Sequence, residues 1–208
     1  MTDHTQKLTL LVATNNAGKV REYETLLAGL PVTLVTPALA GIQMDVDENG
    51  ATFEENALIK ARAFGEASGL TTLADDSGLE VDALGGAPGI RSARYAGEPA
   101  TDADRYNRLL GALRDVLAGE RTARFRCVIA IVLPDGRSFT FPGKCEGVIG
   151  EEPRGSHGFG YDPVFYMPAL GLTMAEISPE VKDRVSHRGR AAMRMRPFLR
   201  ELVGKLQG

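Results

Sequence analysis

The stretch Leu10–Leu27, LLVATNNAGKVREYETLL, switches periodicity part-way along, and that switch limits the folds open to the chain. Leu8–Ala13 is an unbroken apolar run of strand length, whereas Val20, Tyr23, Leu26, Leu27 and Leu30 recur at helical spacing. Pro31 closes the helix, and VTLVT (Val32–Thr36) reads as a second strand. At the joint stand Thr14, Asn15, Asn16, Ala17, Gly18 and Lys19. A helix that starts straight off a strand presents unpaired backbone N–H groups, which attract anions. Two readings stay open for the joint: an anion cradle with Lys19 as a point charge, or an ordinary capped helix with an exposed lysine. A Walker A loop is excluded, because Ala13 stands where its first glycine belongs and Val20 replaces its Ser or Thr.

The rest of the chain keeps mixing the two periods. Thr52 and Glu55 form a capping-box pair before a helix that buries Phe53, Ala57, Ala61 and Phe64 and stops at Gly69. TTLADDSGLEVDALGG reads as strand, acidic turn, strand; APGIRSARYAG as an ordered loop; Ala103–Leu117 as a helix. ARFRCVIAIVL and RSFTFPGKCEGVIG flank Pro134-Asp135-Gly136, an antiparallel hairpin signal. EEPRGSHGFGYDP is a glycine-rich loop, and Ala191–Leu206 a closing helix interrupted or kinked near Pro197. Early alternation followed by paired strands predicts an α/β or α+β protein with a mixed sheet, elongated into two lobes of one domain over residues 1–208.

Composition removes several function classes. With 43% apolar and 25% charged residues the chain is neither disordered nor collagen-like, and a net charge of −3 gives no basic excess for nucleic acid. No apolar stretch reaches the roughly 20 residues of a membrane span, and MTDHTQK lacks the basic and apolar start of a secretory signal. Cys127 and Cys145 match no metal spacing and read as buried free thiols of a soluble protein in a reducing compartment.

Four further segments carry residue types suited to chemistry. Asp75-Asp76-Ser77-Gly78 offers carboxylates for an oxygen-seeking cation or, equally, a local Asx turn. Asp45, Asp47 and Glu48 add acidic charge that a solvated loop would also explain. GSHGFGYD (Gly155–Asp162) has glycines that let N–H groups approach a ligand, and aromatics, Phe159 and Tyr161, able to wall in a base; a self-packed loop is the competing reading. Lys182, Arg184, His187, Arg188 and Arg190 crowd the helix start capped by Ser186, which suits a docked anion or a solvated basic face.

Taken in order, ATNNAGKVREYETLL, TFEENALIKARA, ADDSGLEVDALGGAPGIRSARYAG, GFGYDPVF and VSHRGRA closely resemble the non-canonical purine NTP pyrophosphatase family, also called the inosine triphosphate or dITP/XTP pyrophosphatase family. The resemblance runs from about Leu8 to the last helix. It implies an α/β fold with an elongated mixed sheet, flanking helices and two lobes around a substrate cleft. It also implies a cytoplasmic homodimer that needs Mg²⁺ and has no nucleic-acid or membrane partner. Such an enzyme hydrolyses ITP, dITP and XTP to the monophosphate and pyrophosphate, cleansing the nucleotide pool. Matched position by position, Thr14 through Lys19 cradle the triphosphate, Asn56 and Lys60 face it from one helix, and Asp76 is the proton acceptor and a metal ligand. Ser77, Phe159, Gly160, Tyr161, Asp162, Lys182, His187 and Arg188 fall on substrate contacts. The second metal ligand, a glutamate in many members, falls at Asp47 with Glu48 beside it, and His157 has no counterpart role. A related pyrophosphatase for other modified nucleotides and a non-catalytic nucleotide-binding module are the two rival readings.

Overall fold

The computed structural model describes residues 7–206; the leader-free reading of the amino terminus falls mostly outside them. Strand β1 (Leu8–Val12) pairs in parallel with β2 (Val32–Val35), Leu10 opposite Leu34, and with β3 (Thr71–Val81), Leu10 opposite Thr71. The remaining strands are β4 (Thr122–Val132), β5 (Ser138–Ile149), β6 (Phe165–Met167) and β7 (Leu172–Thr173), the last three joined antiparallel. The result is a mixed seven-stranded sheet in the order β2-β1-β3-β4-β5-β6-β7, an α/β fold. The β4–β5 turn falls on Pro134–Gly136: Gly136 has φ +85°, and the N–H of Leu133 donates to the carbonyl of Arg137 at 2.9 Å.

Helices α1 (Ala17–Leu26) and α2 (Phe53–Ser68) supply the crossovers on either side of β2. Thr52 caps α2 by accepting the N–H of Glu55, and Gly69 ends it at φ +68°. The carboxylate of Glu55 reaches past the cap residue to the N–H of Ala51, 2.7 Å away. Helix α3 is Asp102–Ala112, α4 Pro179–Val185 and α5 His187–Leu206.

The backbone divides into two compact units. One comprises the chain to Asp76, Val128–Pro142 and everything from Arg190; the other is Ser77–Cys127 with Gly143–Gly189. The first has a core in which Ala57, Ala61 and Phe64 of α2 meet Leu11, Ala13, Ala74, Ala130 and Val132. The core of the second joins Leu79 and Val81 to Leu109 of α3, to Leu113 just after that helix, and to Phe125, Phe165 and Met174. Cys127 and Cys145 are buried free thiols.

Three expectations change. β3 is one 11-residue strand, not two strands about an acidic turn; Asp75 and Asp76 meet partners distant in sequence, Lys19 and Asn56. Helix α3 stops at Ala112 rather than Leu117. The buried guanidinium of Arg121 takes the carbonyls of Leu113 and Val116, both at 3.0 Å, and that of Gly150 at 3.3 Å. Helix α5 starts at His187, not Ala191, and runs through Pro197. Proline removes a donor to the carbonyl of Met193, but Met193 is exposed and water can replace that donor.

Arg121→Ala should lower unfolding free energy by about 3 kcal/mol, since it orphans buried carbonyls. Arg124, whose partners Glu80, Asp82 and Glu146 lie on a wet sheet face, should lose less than about 1 kcal/mol on the same change. Urea titration of both variants measures the contrast.

Candidate active site

In the first unit, the joint after β1 is capped from within. The side-chain oxygen of Asn16 accepts from the N–H groups of Gly18 and Lys19 at 2.8 and 3.1 Å, and Thr14 Oγ1 accepts from Asn16 N–H. The side chain of Asn16 thus caps the helix, as the capped-helix reading expects. Asn15 and Ala17 are exposed at the same joint, and Thr14 and Gly18 are half-buried. Lys19 is not the exposed lysine of that reading. Its Nζ lies 3.1 Å from Asp75 Oδ2, and Asp75 is buried.

Alternation along β3 sends Asp75 and Asp76 to opposite faces. Asp75 turns to α1 through Lys19; Asp76, only 9% exposed, turns with Ala74 toward α2, where Asn56 Nδ2 donates to its Oδ2 at 3.1 Å. Asn56 and Lys60 are one turn apart on α2, which gives both the same face. Burial pushes the Asp76 carboxyl above the ordinary carboxylate range. Lys60 and Lys19 pull it back down, Glu48 pushes it up, and the Asn56 amide pulls it down. Glu48 is thus near enough for its charge to be felt at Asp76, and its Oε1 sits 2.9 Å from Lys60 Nζ.

Of Asp47 and Glu48, Glu48 is the acid set beside Lys60 and within electrostatic reach of Asp76. Residues 42–50 alternate between half-buried and exposed, and Ile42, Met44 and Val46 pack on the core of the first unit. Period two carries Glu48 inward with them and leaves Asp47 in solvent. Among the described residues no three His, Cys, Asp or Glu side chains cluster as a metal cage. Two carboxylates beside lysines still fit a hard cation such as Mg²⁺, which commonly takes one or two carboxylates and completes its shell with water and phosphate oxygens.

The second unit gathers the remaining residues. Gly155, Gly158 and Gly160 all have positive φ, and a Cβ on Gly158 would lie 2.1 Å from Asp162 Oδ2. That oxygen accepts from Phe159 N–H at 2.9 Å and Lys182 Nζ at 2.6 Å, a buried pair. Lys182 and Arg188 stand over the Phe159 ring, 4.9 and 5.6 Å from its centroid. Arg188, 1% exposed, donates to Ser77 Oγ at 2.9 Å, and His187 stacks on Phe125. Ser186 caps this helix start by accepting from Gly189 N–H. Tyr161 does not face outward beside Phe159; its ring is in the core and its hydroxyl donates to the Ser92 carbonyl at 2.8 Å. The backbone N–H of Gly160 donates to Asp102 Oδ2 at 2.7 Å, so the first residue of α3 holds this loop. Sequence reasoning missed Asp102. The signal was an acidic residue beyond those needed by the Thr101–Asp104 capping box.

A model of the Ham1 family matches residues 10–198. The chain belongs to the Ham1 family. A protein named dITP/XTP pyrophosphatase from Methylococcus capsulatus is 54% identical over 197 residues, covering 94% of this chain and 98% of the relative. One of the same name from Geobacter sulfurreducens is 51% identical over 190 residues, covering 91% and 96%. Among solved structures, a HAM1 protein from Coxiella burnetii superposes with a TM-score of 0.85 at 42% identity, covering 93% of this chain and 99% of that one. The Staphylococcus aureus Ham1 protein gives 0.83 at 41% identity, with the same coverage. Both the resemblance read from the motifs and the α/β mixed-sheet fold are thereby shown. In this Ham1-family chain the conspicuous motifs coincide with the buried charges: DDSG with Asp75 and Asp76, GFGYD with Asp162, SHRGR with Arg188.

The Asp162–Lys182 pair gives a direct check. Lys182→Met should cost about 3 kcal/mol by stranding a buried carboxylate, while Asp162→Leu with Lys182→Met should cost less than the two single changes summed. Denaturant unfolding of the double-mutant cycle tests this.

Proposed function

We propose that this chain hydrolyses deaminated purine nucleoside triphosphates (ITP, dITP and XTP) to the nucleoside monophosphate and pyrophosphate, with Mg²⁺. It acts in the cytoplasm as a homodimer, has no nucleic-acid partner and keeps such nucleotides out of the precursor pool. The observation that carries this reading is the buried Asp76 carboxylate set among Lys19, Lys60, Glu48 and Asn56. A polyphosphate needs positive charge, and the lysines provide it locally on a chain of net charge −3. Among the described residues no helix is long and apolar enough to cross a membrane.

Lys19, Lys60 and the joint Thr14–Lys19 take the phosphates, and Asp76 with Glu48 would hold the metal. When bound, the ion neutralises charge on phosphate oxygens. Asp76 accepts a proton from a water whose oxygen bonds the α-phosphorus as the bond from that phosphorus to the bridging oxygen breaks. Pyrophosphate carries away the electron pair. The proton acceptor is the ionised form of that carboxylate. Within the second unit, Phe159 offers its ring to a purine base, and Lys182, His187 and Arg188 offer mostly donor groups. Donors suit the 6-oxo group that hypoxanthine and xanthine share. They would face the 6-amino hydrogens of adenine unpaired, which is a penalty against ATP.

Asp76→Asn should reduce kcat for dITP by about 10²–10⁴ with little change in substrate affinity. Near-normal kcat would remove Asp76 from the reaction. A panel of ITP, dITP, XTP, dGTP and dATP, with pyrophosphate resolved from orthophosphate, should show pyrophosphate as first product and a preference for the deaminated purines. Orthophosphate first, or equal kcat/KM for dITP and dGTP, would defeat the reading. Chelation of divalent metal should abolish turnover, and added Mg²⁺ should restore it.

A further inference from the structure

Asn56 faces the same side of α2 as Lys60, and the motif match places it against substrate. Its environment says otherwise. The residue is 2% exposed, and both ends of its amide are engaged by protein. Oδ1 accepts the backbone N–H of Gly50 at 2.8 Å, while Nδ2 donates to Asp76 Oδ2 at 3.1 Å. The orientation of the amide is chemically forced. Turned over, it would set N–H against N–H and oxygen against carboxylate.

Gly50 closes the acidic segment two residues after Glu48, and its lack of a side chain is what permits this contact. A Cβ there would lie 2.7 Å from Asn56 Oδ1 and 2.7 Å from the Cβ of Glu55. The next N–H, of Ala51, is taken by the Glu55 carboxylate. The end of the segment is therefore docked on the first turn of α2 by consecutive N–H groups. Asn56 lies at the centre of that docking and also holds the acid on β3.

We propose that Asn56 is a positioning residue rather than a substrate contact: its amide clamps the backbone at Gly50 to the carboxylate of Asp76, which fixes Glu48 and Asp76 relative to each other. The inference rests on the roles given above to Asp76 and Glu48. One side chain thereby sets the separation of two acids borne on different segments.

The two arms of the clamp can be cut separately. Gly50→Ala breaks the arm to the loop and leaves the amide on Asp76; Asn56→Asp keeps an oxygen toward Gly50 and replaces the amide donor to Asp76 with a carboxyl that must share a proton with it or repel it. Wild type and both variants would be compared by amide hydrogen exchange without metal or nucleotide, and by steady-state kinetics with dITP and Mg²⁺. In Gly50→Ala, exchange at residues 48–51 should quicken at least about tenfold and kcat should fall about tenfold, with KM little changed. In Asn56→Asp, exchange at those residues should stay near wild type while kcat falls about a hundredfold. Unchanged loop exchange in Gly50→Ala overturns the clamp. So does an Asn56→Asp protein that keeps its kcat and raises its KM, the signature of a lost substrate contact. Should Asn56→Asp not fold, Gly50→Ala decides alone. A wild type inert toward every triphosphate would overturn the proposed function, while loop exchange would still decide the clamp.

Discussion

Two adjacent carboxylates in the middle of a buried strand constrain the first unit more than any other feature. Isolated, each would cost several kcal/mol to bury, and a strand cannot turn both toward one partner. Asp75 is answered across one face by Lys19 and Asp76 across the other by Asn56. These answers require α1 to begin where it does, directly after β1, and α2 to present the face that carries Asn56 and Lys60. The parallel register of β1 on β3 sets the height at which both helices meet the acids. Helix placement, strand continuity and local electrostatics are thus consequences of one doublet.

The second unit meets a similar demand with different means. Asp162 and Lys182 neutralise each other out of water, and Asp162 also organises the backbone of the Gly158–Asp162 loop. Phe159 shares its face with two cations, so the ring is held in place yet half-exposed. Asp102 and Ser92 steady the loop from α3 and from the segment before it. A glycine-rich loop would otherwise pay heavily in conformational entropy for a fixed shape.

Much of this was legible in the sequence, and what was not has identifiable causes. The strand-to-helix joint, the Thr52 cap, the Gly69 stop and the Pro134–Gly136 turn all depend on residues within a few positions of each other, and they appear as expected. β3 was misread because Asp, Ser and Gly favour turns unless partners distant in sequence intervene, and Lys19 and Asn56 are 56 and 20 residues away. The end of α3 depends on Arg121, which bonds carbonyls 5 and 8 residues before it through its side chain, a contact that no helical period announces. Glu48 was recoverable: Ile42, Met44 and Val46 alternate in plain view, but a segment without regular hydrogen bonding invites no search for a period. Tyr161 shows the reverse case, since nothing near it in sequence reveals that its ring is buried and its hydroxyl donates to the Ser92 carbonyl.

The continuity of β3 has one more consequence. Asp75 and Asp76 are the same chemical group, so nothing in their composition says which meets Lys19 and which meets Asn56; only the parity of the strand assigns the two partners. A slip of β3 by one position against β1 would turn each to the opposite face. The information that distinguishes them is therefore stored in the counting of residues from Thr71 onward, and an insertion or deletion there would erase it while leaving every side chain intact.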